Sequence, residues 1–336
     1  MNAFSAGFGW MGSMMLERVV NFRNRGFDKG KRVHDVGVPV ISIGNITVGG
    51  TGKTPMVRWV VRALQDMGKS PAIALRGYKS HQGRSDEAIE HEQALPGVPV
   101  LVGSKRVQII TQAIRSGVGF DCVVLDDGFQ HRFVKRALDI VLVDARRPPD
   151  TDRMLPAGRL REPARCLRRA DAVVLTHADQ ASPTLVERMT ELHGAAPLAS
   201  CVHAWSGLRR ITAESDTTTD VQALDGLRVV TRLAIAGPEG IQRMLQEHGA
   251  TVIADLPARD HQAATARDLD RLADLAVGAD AIVVSAKDMA TLEPLLAGAA
   301  KPLPVPVLVP QLALRFLDGE ASLRSLVGSI FGREGD

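Results

Sequence analysis

Cysteine, net charge and long apolar runs are all scarce in this sequence. The 336 residues include three widely spaced cysteines that form no CxxC pair: Cys122, Cys166 and Cys201. This spacing excludes a disulfide framework and gives no indication of a zinc site. We therefore expect a protein of a reducing, cytoplasmic environment.

The charges nearly balance, with 41 Lys and Arg against 38 Asp and Glu and a net charge of +3. Such a small net charge excludes the strongly basic composition that is typical of nucleic-acid-binding proteins. A hydrophobic content of 45% indicates an ordinary globular chain, and its length favours two domains. The sequence has no internal repeat and no low-complexity tract.

The first 35 residues combine an apolar stretch with a basic one. No charged residue precedes the apolar part, so a secretory signal is not indicated, and the stretch before Glu17 is too short to span a bilayer. An amphipathic helix in the membrane interface fits, with its basic residues near anionic headgroups. A helix packed against its own domain explains the same apolar stripe, and both interpretations stay open. The basic residues are Arg18, Arg23, Arg25, Lys29, Lys31 and Arg32.

Residues 38–64 carry the most specific local pattern: an apolar run (VPVISIGN), a glycine-rich turn (ITVGGTGKTP) and a helical stretch (MVRWVVRAL). This order predicts a strand, a phosphate-binding loop and a helix. Glycines let backbone N–H groups turn toward a phosphate at the positive end of the helix dipole. Lys53 is expected to reach the β- and γ-phosphates of a nucleotide, and the Thr54 hydroxyl to hold Mg²⁺.

The predicted nucleotide site departs from the strict phosphate-loop pattern at its first position, where glycine is replaced by threonine. Its position between a buried strand and an amphipathic helix still favours nucleotide binding. The residues of this site are Thr47, Val48, Gly49, Gly50, Thr51, Gly52, Lys53 and Thr54.

From the loop to about residue 205, apolar runs alternate with helical stretches. This alternation predicts an α/β fold, a phosphate-loop NTPase-like parallel sheet with helices on both faces. Ligands of such sheets bind at the carboxyl ends of the strands. The rule selects Arg76, Tyr78, Asp126, Asp127 and Asp144.

Asp126 and Asp127 follow four apolar residues at a predicted strand end. This is the second signature of phosphate-loop enzymes, in which a carboxylate completes the magnesium shell. The Asp-Gly pair at 127–128 is also a turn signal, so a purely structural role is the alternative for one carboxylate. Because the phosphate loop needs such a partner, we predict a metal site formed by Thr54 with Asp126 and Asp127. One carboxylate can hold the metal and the other a water or hydroxyl, and both assignments stay open.

Several motifs occur together in this order: the loop block at 38–55, RGY at 76–78, the pair Asp86–Glu87, LDDGFQHR at 125–132, LPAGRLREP at 155–163 and RDH at 259–261. With them the chain resembles the tetraacyldisaccharide 4'-kinase (lipid A 4'-kinase) family of phosphate-loop kinases from about Arg18 to about Leu292. The resemblance implies ATP- and Mg²⁺-dependent phosphorylation of the 4'-hydroxyl of a lipid-linked glucosamine disaccharide 1-phosphate. It also implies a peripheral protein on the anionic cytoplasmic face of the inner membrane. We expect no nucleic-acid partner, and no protein partner is implied.

The family pattern pairs an acid with a histidine to deprotonate the sugar hydroxyl, and the matching positions are Asp86 and His261. An imidazole held by a carboxylate can accept an alcohol proton as the new P–O bond forms. The implied catalytic residues are thus Asp86, His261, Lys53 and Asp127, and Glu87 joins the metal ligands. The candidate substrate contacts are Asn45, Arg76, Tyr78, Arg106, Gln130, His131 and Arg161.

Two blocks depart from the family pattern. The usual GDEP block reads SDEA at 85–88, and a TEKD-like segment reads SAKD at 285–288. The first departure keeps Asp86 and Glu87, and the second keeps Lys287 and Asp288.

Arginine is concentrated between residues 159 and 169. Guanidinium groups bind phosphate oxygens in a bidentate fork, so the cluster suits a phosphorylated ligand or an anionic membrane. A solvated helix face is the alternative. We expect a functional role for Arg161 and surface positions for Arg168 and Arg169; the other members of the cluster are Arg159 and Arg165.

Composition divides the chain into four parts. The parts are a membrane-interface helix at 1–35, a phosphate-loop kinase domain at 36–212, a polar linker at 213–226 and a smaller C-terminal α/β domain at 227–336. Since Asp86 and His261 fall in different domains, the active site is expected to draw on both.

The alternative function is a phosphate-loop switch or partitioning NTPase at the membrane, with which the loop and the acidic pair are compatible. Guanine-specific proteins use an [NT]KxD element, and the nearest match, THAD at 176–179, lacks the lysine. A third interpretation, a membrane-binding module without enzyme activity, leaves Lys53, Asp126 and Asp127 without a purpose.

Overall fold

The computed structural model describes residues 3–77, 80–81, 84–235, 237–260, 262–299 and 302–332, with the backbone alone at 3–9, 80, 81, 84 and 86. Three predicted site groups therefore lie outside the described residues: Tyr78, His261 and the side chain of Asp86.

Helices and strands alternate along the chain. The helices are α1 (Ala3–Asp28), α2 (Lys53–Asp66), α3 (Asp86–Ala94), α4 (Arg106–Arg115), α5 (Pro183–His193), α6 (Glu239–Glu247), α7 (Ala266–Leu275), α8 (Ala286–Ala297) and α9 (Glu320–Ser329). The strands are β1 (Val40–Gly44), β2 (Pro71–Leu75), β3 (Ser80–His81), β4 (Arg84–Ser85), β5 (Val100–Val102), β6 (Cys122–Asp126), β7 (Leu138–Asp144), β8 (Ala172–Thr176), β9 (Ala199–Ile211), β10 (Asp216–Thr219), β11 (Arg228–Arg232), β12 (Thr251–Asp255), β13 (Ala281–Val284) and β14 (Val307–Asp318).

The chain divides into two compact units, residues 1–203 with 314–336 and residues 204–313. The last segment belongs to the first unit because α9 packs Leu323 and Val327 into the same apolar cluster as the buried face of α2. The predicted second domain, in contrast, runs to the end of the chain.

The predicted linker at 213–226 contains regular secondary structure. Part of it forms β10, which pairs antiparallel with the end of β9. Most of its polar side chains are exposed. An exposed edge hairpin and a linker share this composition, which is why the sequence alone indicates a linker.

The sheet of the first unit is parallel, in the order β9, β8, β7, β1, β6, β2 and β5. Successive side chains point to opposite faces: in β7, Ile140 and Leu142 join the apolar cluster with α2, whereas Val141 and Val143 join the cluster with α5. Burial on both faces explains the near-continuous apolar strand sequences. The predicted α/β fold with helices on both faces is confirmed.

The second unit also has parallel strands, β12, β11, β13 and β14 in that order. Two apolar clusters cover its two faces, one with Leu245 of α6 and the other with Leu272 of α7 and Leu292 of α8. This unit is the predicted smaller α/β unit.

Helix α1 packs one face on the first unit and leaves the other face exposed. Val20, Asn24 and Phe27 are buried, whereas Met15 and Phe22 are 69% and 81% exposed. The packed-helix interpretation is therefore confirmed for one face of α1, and the membrane-interface interpretation stays a prediction that concerns the exposed face. Among the helices within the described ranges, none has an apolar run long enough to cross a membrane.

Candidate active site

The phosphate loop connects β1 to α2. Gly49 has φ 114° and Gly52, the N-cap residue of α2, has φ 83°, values that favour glycine. A Cβ built on Gly49 or Gly50 would meet only open space. The loop thus presents free room beside the N-terminus of α2, where backbone N–H groups and the helix dipole attract phosphate.

Asn45 joins the residues around this loop. Its side chain is buried and donates to the Thr51 hydroxyl at 2.9 Å. Its Oδ1 accepts hydrogen bonds from Lys53 Nζ at 3.3 Å and from Arg161 Nη2 at 2.9 Å, and its backbone carbonyl accepts from the Gln130 side chain at 2.8 Å. Four predicted site residues therefore meet: Asn45, Lys53, Gln130 and Arg161.

Residues 153–162, called the bracing segment here, form hydrogen bonds with the backbone of the phosphate loop. Val48 N donates to the Arg159 carbonyl at 2.8 Å, and Thr47 forms an isolated bridge with Leu160. Arg161 N donates to the Ile46 carbonyl at 2.8 Å, and its Nε donates to the Thr47 carbonyl at 2.9 Å. Thr47, which stands where the strict pattern has glycine, is thus held through its backbone.

Asp127 lies between two cations. Its Oδ2 accepts from Arg161 Nη1 at 2.6 Å, and its Oδ1 is 3.6 Å from Lys53 Nζ. Burial alone would raise the pKa of this carboxyl, but the positive charges of Lys53 and Arg161 outweigh burial and lower the pKa below its usual range. The backbone of Asp127 has φ 54°, in the left-handed region that aspartate tolerates better than most residues.

Asp126 points to a different partner. Its Oδ2 is 2.9 Å from Nε2 of His91, a fully buried residue of α3. The first turn of the same helix carries Glu87, whose pKa is raised by desolvation and then by the negative charges of Asp126 and Asp127. Within the described ranges, no group of three or more Asp, Glu, His or Cys side chains is arranged so that it could hold a metal ion by itself. The acids are nevertheless close enough to repel one another, an arrangement that suits Mg²⁺, which binds through one or two carboxylates together with substrate phosphates.

His131 lies among arginines. Burial and then the positive charges of Arg106, Arg136 and Arg76 lower its pKa to about 4. The imidazole is therefore neutral at pH 7, in a basic environment that suits an anionic group of a ligand. Three predicted substrate contacts, Arg76, Arg106 and His131, are thus electrostatically coupled.

The buried carboxylate of Glu162 was not predicted as an important group. It accepts hydrogen bonds from Arg169 Nη1 at 2.6 Å and from Asn24 of α1 at 2.8 Å. Arg169 also lies over the Phe129 ring at 4.2 Å. The predicted surface position of Arg169 is wrong, because the buried acid requires a cation; Arg168 is exposed, as predicted.

His203 was also missed. A Cβ on Gly52 would stand 2.6 Å from His203 Nε2, so this ring fills the space that glycine leaves at the loop. The ring of His177 lies 4.4 Å from it, and His177 Nδ1 is 3.4 Å from Asp144. Burial and then the charges of His177 and Arg146 lower the pKa of His203 to about 4. No local sequence signal identifies this residue, since it lies inside the long strand β9.

Known proteins match over most of the chain. The family described as Tetraacyldisaccharide-1-P 4'-kinase matches residues 8–330. A tetraacyldisaccharide 4'-kinase of Syntrophotalea carbinolica is 34% identical over 340 residues, covering 94% of this chain and 88% of that protein. One of Anaeromyxobacter dehalogenans is 38% identical over 289 residues, covering 79% of this chain and 75% of that protein.

A solved structure matches as well. It is described as the "apo" form of LpxK from Aquifex aeolicus in complex with ATP, and it superimposes with a TM-score of 0.73 at 26% identity, covering 96% of this chain and 98% of that one. Together with the match of the family over 8–330, this likeness covers the phosphate loop, the acidic pair and both units. The chain belongs to the tetraacyldisaccharide 4'-kinase family.

Proposed function

We infer that this protein is an ATP-dependent kinase that phosphorylates the 4'-hydroxyl of a lipid A disaccharide 1-phosphate precursor. The observation that carries this function is the network at the phosphate loop, in which Lys53, Asp127 and Arg161 are joined through Asn45 in a chain of this kinase family. Membership of the family favours phosphoryl transfer over the alternative of a switch or partitioning NTPase.

For the nucleotide, we propose that the phosphates of ATP lie on residues 47–54. Lys53 provides positive charge where negative charge develops during phosphoryl transfer, and Asn45 and Asp127 hold its ammonium group in place. Arg161 keeps Asp127 ionised and fixes the loop through the Thr47 carbonyl.

The residues proposed to hold Mg²⁺ are Thr54, Glu87, Asp126 and Asp127. Their fit is supported by the raised pKa of Glu87, which burial and then the negative charges of Asp126 and Asp127 cause, since a bound cation would relieve that repulsion. When bound, Mg²⁺ would neutralise charge on the phosphates.

For the acceptor, we propose that Asp86 and His261 remove the proton of the sugar hydroxyl. If they act as one unit, the two single substitutions and the double substitution should slow turnover by similar factors. Additive losses would contradict the pairing.

The basic group around His131 is proposed to bind the anionic disaccharide head. Its support is the set of positive charges that lower the His131 pKa. Gln130, whose side chain contacts both Asn45 and Arg161, would place this group beside the nucleotide. The proposed substrate contacts are Asn45, Arg76, Tyr78, Arg106, Gln130, His131 and Arg161.

The deciding experiment follows nucleotide turnover with and without a detergent-solubilised disaccharide 1-phosphate precursor. We expect transfer of the γ-phosphate to the lipid and little hydrolysis without it. Rapid hydrolysis that is independent of the lipid would contradict the kinase function and support a switch NTPase.

We also propose that α1 binds the anionic cytoplasmic surface of the inner membrane. The support is the exposed apolar face of this helix beside basic residues such as Arg18 and Arg25. The exposed apolar residues are Trp10, Met11, Met14, Met15, Val19 and Phe22.

Point substitutions test this surface better than truncation, because the other face of α1 is buried. Burying one large apolar side chain contributes roughly 1.5–3 kcal/mol. Met15→Ser with Phe22→Ser should therefore lower binding to phosphatidylglycerol vesicles by about tenfold or more. Val277→Ser is the matched control, since Val277 is 79% exposed in the second unit. Equal binding by all three proteins would contradict the proposal.

A further inference from the structure

His91 is a buried histidine to which the function proposed above assigns no role. Its side chain is fully buried, and its Nε2 lies 2.9 Å from Asp126 Oδ2. A carboxylate can only accept a hydrogen bond, so Nε2 carries the proton and donates it. Nδ1 has no hydrogen-bond partner within the described ranges. Among those residues, the hydrogen bond to Asp126 is therefore the one that fixes the imidazole ring.

The contact joins two elements that are distant in sequence. Asp126 ends β6, whereas His91 lies in α3, the helix that begins at Asp86 and carries Glu87 in its first turn. On an α-helix, positions four residues apart lie on the same face. Glu87 and His91 therefore share the face of α3 toward the acidic pair, consistent with the effect of Asp126 and Asp127 on the Glu87 pKa.

A second contact holds the same turn of α3. Arg58 of α2 donates to the Glu90 carboxylate at 2.8 Å and to the Glu90 carbonyl at 3.1 Å. The helix is thus attached to α2 through Glu90 and to β6 through His91. Because α2 begins at the phosphate loop, both attachments set the position of the first turn of α3 relative to that loop.

We propose that His91 is a positioning residue for the magnesium site: its hydrogen bond orients the Asp126 carboxylate and holds the helix that carries Glu87 and Asp86 against it. This inference rests on the proposed magnesium role of Asp126. Hydrogen bonds that orient metal ligands typically matter by 10- to 100-fold in metal affinity.

The test compares His91→Gln with His91→Asn, using Mn²⁺ as a paramagnetic probe and a non-hydrolysable ATP analogue. The amide nitrogen of glutamine can occupy the position of Nε2, whereas that of asparagine falls short of Asp126. We expect the dissociation constant for Mn²⁺, measured by electron paramagnetic resonance, to rise about 10- to 100-fold in His91→Asn and much less in His91→Gln. Affinity for the analogue in EDTA should stay within about twofold of the wild type, because neither variant changes the loop.

His193→Asn is the matched control. His193 lies in α5 and is held by the carbonyls of Ala170 and Ala195, away from the acidic pair. It should lower thermal stability without changing Mn²⁺ affinity. If His91→Asn loses stability but binds Mn²⁺ like the wild type, or if His91→Gln and His91→Asn lose affinity equally, the positioning role is overturned. If the wild type with the analogue binds no Mn²⁺, the proposed magnesium site fails, and this inference fails with it.

Discussion

Each unit contains an arginine–carboxylate pair near a strand end, and the two pairs differ in what surrounds them. Arg161 and Asp127 in the first unit have side chains that are 24% and 31% exposed, whereas Arg232 and Asp288 in the second unit are fully buried. The pKa of Asp127 is lowered, with burial outweighed by Lys53 and Arg161. The pKa of Asp288 is raised, because burial outweighs its hydrogen bonds and the charge of Arg232.

The partners of the second pair explain the difference. Asp288 accepts from Ser285 in a capping box that starts α8 and from the Ala234 amide, and Arg232 donates to the Gln262 carbonyl. The carboxylate oxygens of Asp288 thus hold the backbone at the start of α8 and at Ala234. The Asp127 carboxylate instead contacts the side-chain cations of Lys53 and Arg161, beside a loop with open space. The same ion pair is thus structural where backbone groups occupy it and available for chemistry where solvent reaches it.

The largest effect is expected from Asp288→Ala. Removing one member of a buried pair typically costs about 3–5 kcal/mol, and Arg232 would be left with the more distant Asp268, at 3.8 Å. The free energy of unfolding, measured in urea, should fall by about that amount. Asp216→Ala is the control, since Asp216 pairs with Arg209 at the surface and should cost about 1 kcal/mol or less. Similar losses in both variants would remove the distinction between the pairs.

Lys53→Ala should reduce turnover and leave stability nearly unchanged, in contrast to Asp288→Ala. Loss of one preorganised charge at a reacting group lowers turnover by about 10²–10³-fold. The free energy of unfolding should change little, because Lys53 meets Asp127 in a partly exposed site. Lys135→Ala, at an exposed pair with Asp35, is the control for kinase assays. Near-normal phosphoryl transfer by Lys53→Ala would contradict the assigned site.

Arg161→Lys is expected to have a smaller effect. Arg161 contacts the Thr47 carbonyl, Asn45, Asp127 and Gln130 through its planar fork, and lysine cannot reproduce this geometry. Losing hydrogen bonds to charged groups costs roughly 1.5–3 kcal/mol, so turnover should fall about 10- to 100-fold. Arg168→Lys, on the exposed side of the arginine cluster, should retain wild-type turnover.

The smallest expected effect is a change in how the free energy of unfolding depends on pH under acidic conditions. The folded-state pKa of Asp127 lies below the ordinary 3.8, so its contribution to stability is present above that pH and is lost as the pH falls through the lowered pKa. Asp127→Asn should therefore lose less stability than the wild type on acidification below pH 3.8. Unfolding by denaturant at several acidic pH values measures this slope, and parallel slopes would contradict the pKa assignment.

Much of the first unit could be predicted because its signals are local. The strand, loop and helix of residues 38–64 are adjacent in sequence, and Asp126 ends its own apolar strand. Each element carries the pattern that its burial requires, so neighbouring residues suffice to identify it.

The missed residues depend on contacts between distant positions. Asn24 and Glu162 are 138 residues apart, and His91 is 35 residues from Asp126. An asparagine in a helix or a histidine in a short acidic helix has no periodicity that indicates such a partner. The return of α9 to the first unit was missed for the same reason, because an apolar helix face does not specify which core it joins.

The burial of Glu162 has a consequence for how the protein would sit on a membrane. Detaching α1 would break two buried hydrogen bonds, from Asn24 to this carboxylate and from the Ser13 hydroxyl to the Met154 carbonyl, which costs free energy. The helix is therefore part of the domain surface and cannot swing as a flexible tether. A molecule bound through its exposed face would keep one tilt and one height above the bilayer, so its encounters with lipid would be confined to diffusion in two dimensions.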